Sequence, residues 1–311
     1  RLSMMRYATL FVSESTMLIR VASLLCSVLA SLVMSSWVSA EPVQIRHDGL
    51  RLNANYENDD AAHEKPVMVI LHGTWMHHDT ELPTYLQDLA TYEGYSSLNL
   101  SLSLGIDDRK SFMNCETMPV VGSHQQAVEE LKAWFDWLGT QGHTKFVLIA
   151  HSRGGAQASL FYQTYHYPGL ERLALIAPAT YEQARVTKSF ENRYGKSLAE
   201  QVSLFQGLDN QVEPITEAAV LYCTFAKVSA EAFLSYYLPT PNKHTPSLIA
   251  KIDIPTQIFL GSEDPLSDRL MEYQSEFINN PLISTHLIEG ADHFFRDLYS
   301  DELFEAILDD L

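Results

Sequence analysis

The chain has 311 residues, 46% hydrophobic and 19% charged, enough for one large hydrophobic core or two small ones. That composition excludes a disordered chain, a collagen-like repeat and a cysteine-stapled miniprotein. Its 21 Lys+Arg against 39 Asp+Glu give a formal charge of −18, which repels phosphate backbones and acidic membrane surfaces, so nucleic acid is not an expected partner.

In chain order, the first feature is an apolar run of small residues from Val21 to about Met34, preceded by Arg20 and followed by Val38-Ser39-Ala40. The run is too short to span a bilayer, and its flanks predict an upstream segment and signal peptide over residues 1–40, cleaved after Ala40. Met17 as the start gives a conventional short basic region. A buried amphipathic helix or an uncleaved anchor is the competing reading. Cleavage implies export to the periplasm or beyond, without stable membrane insertion of the remainder. It removes Cys26 and leaves Cys115 and Cys223 in a compartment where disulfides persist, either paired or as two buried thiols. No cysteine pair has metal-ligand spacing.

From Glu41, alternating Val43 and Ile45, an Asp48-Gly49 turn, then Leu50, Leu52 and Ala54 predict a hairpin at a sheet edge. Continuous apolar runs at Val67–Leu71, Phe146–Ala150, Leu173–Ile176 and Ile258–Leu260 predict parallel strands buried on both faces. Leu98, Leu100, Leu102 and Leu104 alternate with Ser and Asn, the pattern of a weaker, one-sided strand. Val128, Leu131, Phe135 and Leu138 fall at helical spacing behind Ser123, a suitable N-cap. Strand and helix alternate, which implies a parallel sheet covered on both faces. The rhythm breaks between about Ala179 and Pro246, a helical insertion whose aromatics either line an acyl or aryl pocket or pack among themselves. In Met76-His77-His78-Asp79 the adjacent histidines point apart in a strand or helix and no third ligand has suitable spacing, so no metal is expected there. Asp107, Asp108 and Arg109 are expected in a solvated loop, a polar role beside Arg153 being the alternative.

The chemistry concentrates at Phe146-Val-Leu-Ile-Ala-His-Ser152-Arg-Gly-Gly155, a buried strand that ends in serine and passes at once into a helix. Such a turn exposes the serine hydroxyl above the sheet and requires small residues two positions to either side, here Ala150 and Gly154. The following amide, that of Arg153, sits at a helix N-terminus, where developing negative charge is stabilised. Serine needs a base that is itself oriented by a carboxylate. Asp264 follows one strand and His293 the next, so nucleophile, acid and base come in the order Ser152, Asp264, His293. Glu263 and Asp268 compete for the acid role, while Asp292 is assigned to local bonds in the histidine loop. His72-Gly73-Thr74 follows the first buried strand, with the Thr74 amide as second oxyanion donor. His72 and His151 are expected to position backbone.

These four segments, His72-Gly73, Ala150–Gly155, Gly261–Asp264 and Gly290–His293, resemble the α/β-hydrolase superfamily. The resemblance implies that residues 41–311 form a mostly parallel eight-stranded sheet with helices on both faces and a helical cap after strand 6, about 179–246. It also implies Ser152, Asp264 and His293 as a catalytic triad. The elbow departs from the commoner pattern by carrying Ala150 in place of glycine. The strand near Leu98–Leu104 lacks the Asp-x-x-Gly that many relatives show, which leaves the subfamily open. The resulting expectation is an exported serine hydrolase of small carboxylic esters or thioesters that needs no cofactor. Amide or peptide hydrolysis and a catalytically silent binding protein are the alternatives, and the sequence carries no signal for oligomeric state.

Overall fold

The computed structural model describes residues 40–59, 64–208, 216–309 and 311; the segment read as a leader up to Ser39 lies outside them. Strands β1 (Glu41–His47) and β2 (Leu50–Glu57) pair antiparallel across a two-residue turn, His47 opposite Leu50. Asp48 and Gly49 both take positive φ, 47° and 81°, the twist a two-residue hairpin demands. Six further strands run parallel to one another: β3 (Val67–Leu71), β4 (Ser97–Ser101), β5 (Phe146–His151), β6 (Leu170–Ile176), β9 (Thr256–Gly261) and β10 (Ile283–Ile288). The eight strands form one sheet in the order β1-β2-β4-β3-β5-β6-β9-β10.

Period-2 geometry divides each apolar strand between two cores. Val67, Val69 and Leu71 of β3 face one layer with Phe146 and Leu148 of β5, under helices α2 (His124–Thr140) and α3 (Arg153–Tyr165). Met68 and Ile70 face the other with Val147 and Ile149, under α1 (Glu81–Tyr92) and α9 (Leu298–Leu308). Ser123 caps α2, its Oγ accepting from the Gln126 amide at 3.2 Å. The chain runs from β3 outward to β4, then returns to place β5 on the opposite side of β3. The carboxyl ends of β3 and β5 therefore flank the point where the order reverses, the crevice in which open α/β sheets bind ligands.

Two expectations change. The strand read as one-sided, β4, is buried along its whole length. Its polar face is hydrogen-bonded internally except at Asn99 Oδ1, which has no partner among the described residues: Ser97 Oγ accepts from Gln87 at 3.1 Å, Asn99 Nδ2 donates to the His78 carbonyl at 2.9 Å, and Ser101 Oγ accepts the His78 amide at 2.9 Å. Alternation with polar residues thus marks hydrogen-bonded burial, not solvent. The insertion is also not wholly helical. Besides α4 (Gln183–Tyr194), α5 (Leu198–Gln206), α6 (Ala230–Tyr237) and α7 (Thr245–Ile249), it contains an antiparallel pair, β7 (Thr216–Val220) and β8 (Cys223–Val228). Its turn, Leu221-Tyr222, has none of the usual turn residues, and Leu221 takes a φ of 49°, which conceals the hairpin from sequence reading. Phe205 and Phe233 stack at 4.0 Å in the insertion's own core.

The insertion is tied to the loop between β4 and α2. Val120 bridges Val228, its amide donating to the Lys227 carbonyl at 2.7 Å while its carbonyl accepts from the Ser229 amide at 3.0 Å. Cys115 and Cys223 are disulfide-bonded with a Cα separation of 5.6 Å. Closing a loop of 108 residues removes much freedom from the unfolded chain. Replacing both cysteines by serine is expected to lower unfolding free energy by about 2–4 kcal/mol. Urea melts with and without dithiothreitol check this: reductant should shift the parent protein alone, and an unshifted midpoint would mean the bridge contributes nothing.

Candidate active site

Ser152 joins β5 to α3 with φ 55° and ψ −119°, outside the comfortable regions for an L-residue. The fold over-determines this turn. The Ser152 amide donates to the Ile176 carbonyl at 2.8 Å, and its own carbonyl accepts from Gly155 at 3.0 Å and Ala179 at 2.9 Å. At Gly154 a Cβ would lie 2.5 Å from the His72 carbonyl oxygen, so no side chain fits there without moving the β3 loop.

Three of the predicted side chains meet at the carboxyl edge of the sheet. His293, in the loop after β10, places Nε2 3.0 Å from Ser152 Oγ and Nδ1 2.8 Å from Asp264 Oδ2. Asp264 sits between β9 and the short helix α8 (Pro265–Met271), its side chain fully buried. Burial pushes its carboxyl up, but hydrogen bonds from His293, from the Leu266 amide at 2.8 Å and from Ser267 outweigh this and hold it below the usual carboxylate range. Glu263 is exposed and contributes its amide, 3.0 Å from the Ala291 carbonyl. The Asp268 side chain lies outside the described set. Asp292 accepts the Phe294 amide at 2.8 Å and pairs with Arg296 at 3.2 Å, which fixes the histidine loop. His151 donates from Nε2 to the His293 carbonyl at 2.8 Å, a further restraint on that loop.

The Gly73-Thr74 loop passes directly beside the serine: a Cβ on Gly73 would lie 3.2 Å from Ser152 Cβ. Neither the Thr74 nor the Arg153 amide makes a backbone hydrogen bond among the described residues. The Arg153 side chain reaches the same loop, Nε donating to Thr74 Oγ1 at 3.2 Å.

Behind this loop lies a buried polar group that sequence reading missed. Arg109 is 3% exposed, not solvated. It donates to the Leu102 carbonyl at 2.8 Å and the Met76 carbonyl at 2.8 Å, and stands 3.4 Å from His72. Its neighbours Asp107 and Asp108 do face Arg51, at 2.7 Å and 3.3 Å, nearer the surface. Burial, then Arg109, push the His72 ring well below its ordinary pKa and keep it neutral. Nδ1 then donates to the Gly73 carbonyl at 2.7 Å and Nε2 accepts from the Leu102 amide at 3.1 Å. Glu130, raised to about 7 by burial, accepts from the Ser103 amide at 2.7 Å. Only the run of three charges at 107–109 was visible in the sequence; which of them turns inward depends on carbonyls that converge in space.

Above Ser152 and His293 a cavity of about 390 Å³ is roofed by the insertion, with Tyr181, Phe190, Tyr236 and Tyr237 among its lining residues. Phe190, Tyr236 and Tyr237 belong at once to the insertion's core and to the cavity wall, whereas Phe205 and Phe233 lie in the core without lining the cavity. A more open groove of about 620 Å³ adjoins it, sharing Thr180, Val186, Arg193 and Arg269.

A family model described as "Alpha/beta hydrolase family" matches residues 68–306. A search of curated proteins finds no match. Among solved structures, Est1E from Butyrivibrio proteoclasticus with bound ferulic acid superposes with a TM-score of 0.61 at 17% identity, covering 86% of this chain and 98% of that one. Carboxylesterases of Nitrososphaera gargenis give a TM-score of 0.55 at 16% identity over 86% and 97% of the two chains. The thioesterase domain from the curacin biosynthetic pathway gives 0.58 at 13% identity over 87% and 99%. At such identities these likenesses establish the shared fold.

Proposed function

Because the chain belongs to the alpha/beta hydrolase family, we propose that it is an exported serine hydrolase of carboxylic esters or thioesters, working through an acyl-enzyme on Ser152. The observation that carries this reading is the unbroken hydroxyl–imidazole–carboxylate chain, 3.0 Å and 2.8 Å long in its two links. Ser152 Oγ attacks the acyl carbon while its proton passes to His293 Nε2. The carbonyl oxygen becomes an oxyanion held by the Thr74 and Arg153 amides. Asp264 keeps the Nδ1 proton in place and stabilises the imidazolium. His293 then returns its proton to the departing alcohol or thiol, and water repeats the sequence to free the acid.

Ester and thioester chemistry is favoured by analogy with the esterases and the thioesterase domain of the same fold. The cavity of about 390 Å³ suits a small molecule. Export is supported by the apolar Val21–Met34 run and by the Cys115–Cys223 bond, which persists in an oxidising compartment. A silent binding protein has no use for a nucleophile, base, acid and free oxyanion donors together. Turnover of 4-nitrophenyl acetate and of an acetyl thioester by the parent protein and by Ser152→Ala tests the reading. Activity confined to the parent supports it; equal turnover by a folded Ser152→Ala would refute it.

A further inference from the structure

The cavity over Ser152 carries a charge opposite to that of the chain. The sequence has a formal charge of −18, yet among the described residues the cavity is lined by Arg153, Arg193, Lys243 and Arg269 and by no aspartate or glutamate. None of these four cations forms an ion pair with a carboxylate among the described residues. Two of them lie deepest. Lys243 is 8% exposed, donates to the Leu238 carbonyl and sits 4.6 Å above the Tyr181 ring. Arg153 stacks 4.9 Å from the centre of Tyr236 and makes one side-chain bond, to Thr74.

Between these cations stands His124, 8% exposed, with neither ring nitrogen bonded to any described residue. Burial, then the fields of Arg153 and Lys243, push it down to about 3, so it is neutral and offers one N–H. Burial and Arg153 likewise lower the Lys243 ammonium to about 7. Cations and an idle donor, desolvated beside a nucleophile without internal counter-charge, form a half-built ion pair that an entering anion completes.

We propose that Arg153, Lys243 and His124 form a subsite for a carboxylate carried by the substrate, so that the preferred substrates are half-esters of dicarboxylic acids or esters of acid-bearing alcohols. Arg193 and Arg269, shared with the outer groove, extend the positive field to the mouth and draw such anions inward against the protein's overall charge. This inference rests on the hydrolase reading and specifies its substrate class.

Two matched pairs test it. On the acyl side, mono-4-nitrophenyl adipate is compared with its methyl ester; on the alcohol side, 4-acetoxybenzoate with methyl 4-acetoxybenzoate. The anionic member of at least one pair is expected to show about tenfold or higher kcat/KM, and the pair that does so assigns the side. Lys243→Met and Arg153→Met should each collapse that ratio. Equal or poorer turnover of both anions would overturn the subsite, while continued turnover of the neutral esters would leave the hydrolase reading intact. Should a variant fail to fold, calorimetry on the parent protein decides: 4-hydroxybenzoate is expected to bind and 4-hydroxybenzamide to bind at least about tenfold more weakly, and equal binding would contradict the proposal.

Discussion

Replacing His293 with alanine is expected to lower kcat/KM for 4-nitrophenyl acetate by about ten-thousand-fold, leaving a small rate above water. The reasoning is local. Among the described residues only His293 Nε2, at 3.0 Å, is hydrogen-bonded to Ser152 Oγ and placed to take its proton, and a neutral serine hydroxyl is a poor nucleophile. The amides of Thr74 and Arg153 remain in the variant, so the residual rate reports the oxyanion site alone. Because base and nucleophile act as a unit, the double variant Ser152→Ala/His293→Ala should be no slower than either single one. His293 lies in a surface loop, its side chain 19% exposed, so circular dichroism should show the native fold. A loss below about tenfold would remove His293 from the proposed role.

Asp264→Asn is expected to cost about as much, roughly ten-thousand-fold in kcat, with no loss of volume. The carboxylate accepts from His293 Nδ1 at 2.8 Å, which leaves the lone pair of Nε2 aimed at Ser152. An amide in its place presents an N–H to Nδ1 and drives the ring proton to Nε2, where it faces the serine as a donor. The same experiment separates the competing acid. Glu263 is exposed and engages Ala291 through its backbone, so Glu263→Gln should change kcat/KM by less than about threefold. Loss on Glu263→Gln with retention in Asp264→Asn would reverse the assignment.

What could be read in advance and what could not divide along a physical line. Strand β3, and the runs Phe146–Ala150 of β5, Leu173–Ile176 of β6 and Ile258–Leu260 of β9, are apolar on both faces, and that leaves a continuous signature in the chain. The elbow at Ser152 and the loop carrying Asp264 were legible because each sits just past such a run; His293 follows β10, a polar and half-exposed strand, and was legible from its place after the last strand, since a parallel sheet gathers those ends on one edge. Strand β4 differs from its expected one-sided form because burial of its Ser and Asn residues depends on donors from Gln87 and the His78 amide and on the His78 carbonyl as acceptor. The hairpin in the insertion was hidden by a Leu-Tyr turn that lacks glycine or asparagine. Arg109, His124 and Lys243 were beyond local reading for the same reason as one another: their surroundings are built from segments tens of residues apart, and charge alone predicts solvent. The leader remains a proposal from composition, supported by the Cys115–Cys223 bond.

The central claim is that Ser152 is an activated nucleophile. Reaction with a fluorophosphonate probe, followed by peptide mass mapping, tests it without any assumption about the natural substrate. One phosphonyl group per chain is expected, carried by the peptide that contains Ser152, with labelling lost in Ser152→Ala and slowed about a thousandfold or more in His293→Ala. A folded parent protein that stays unlabelled, or a label found on another residue, would contradict it.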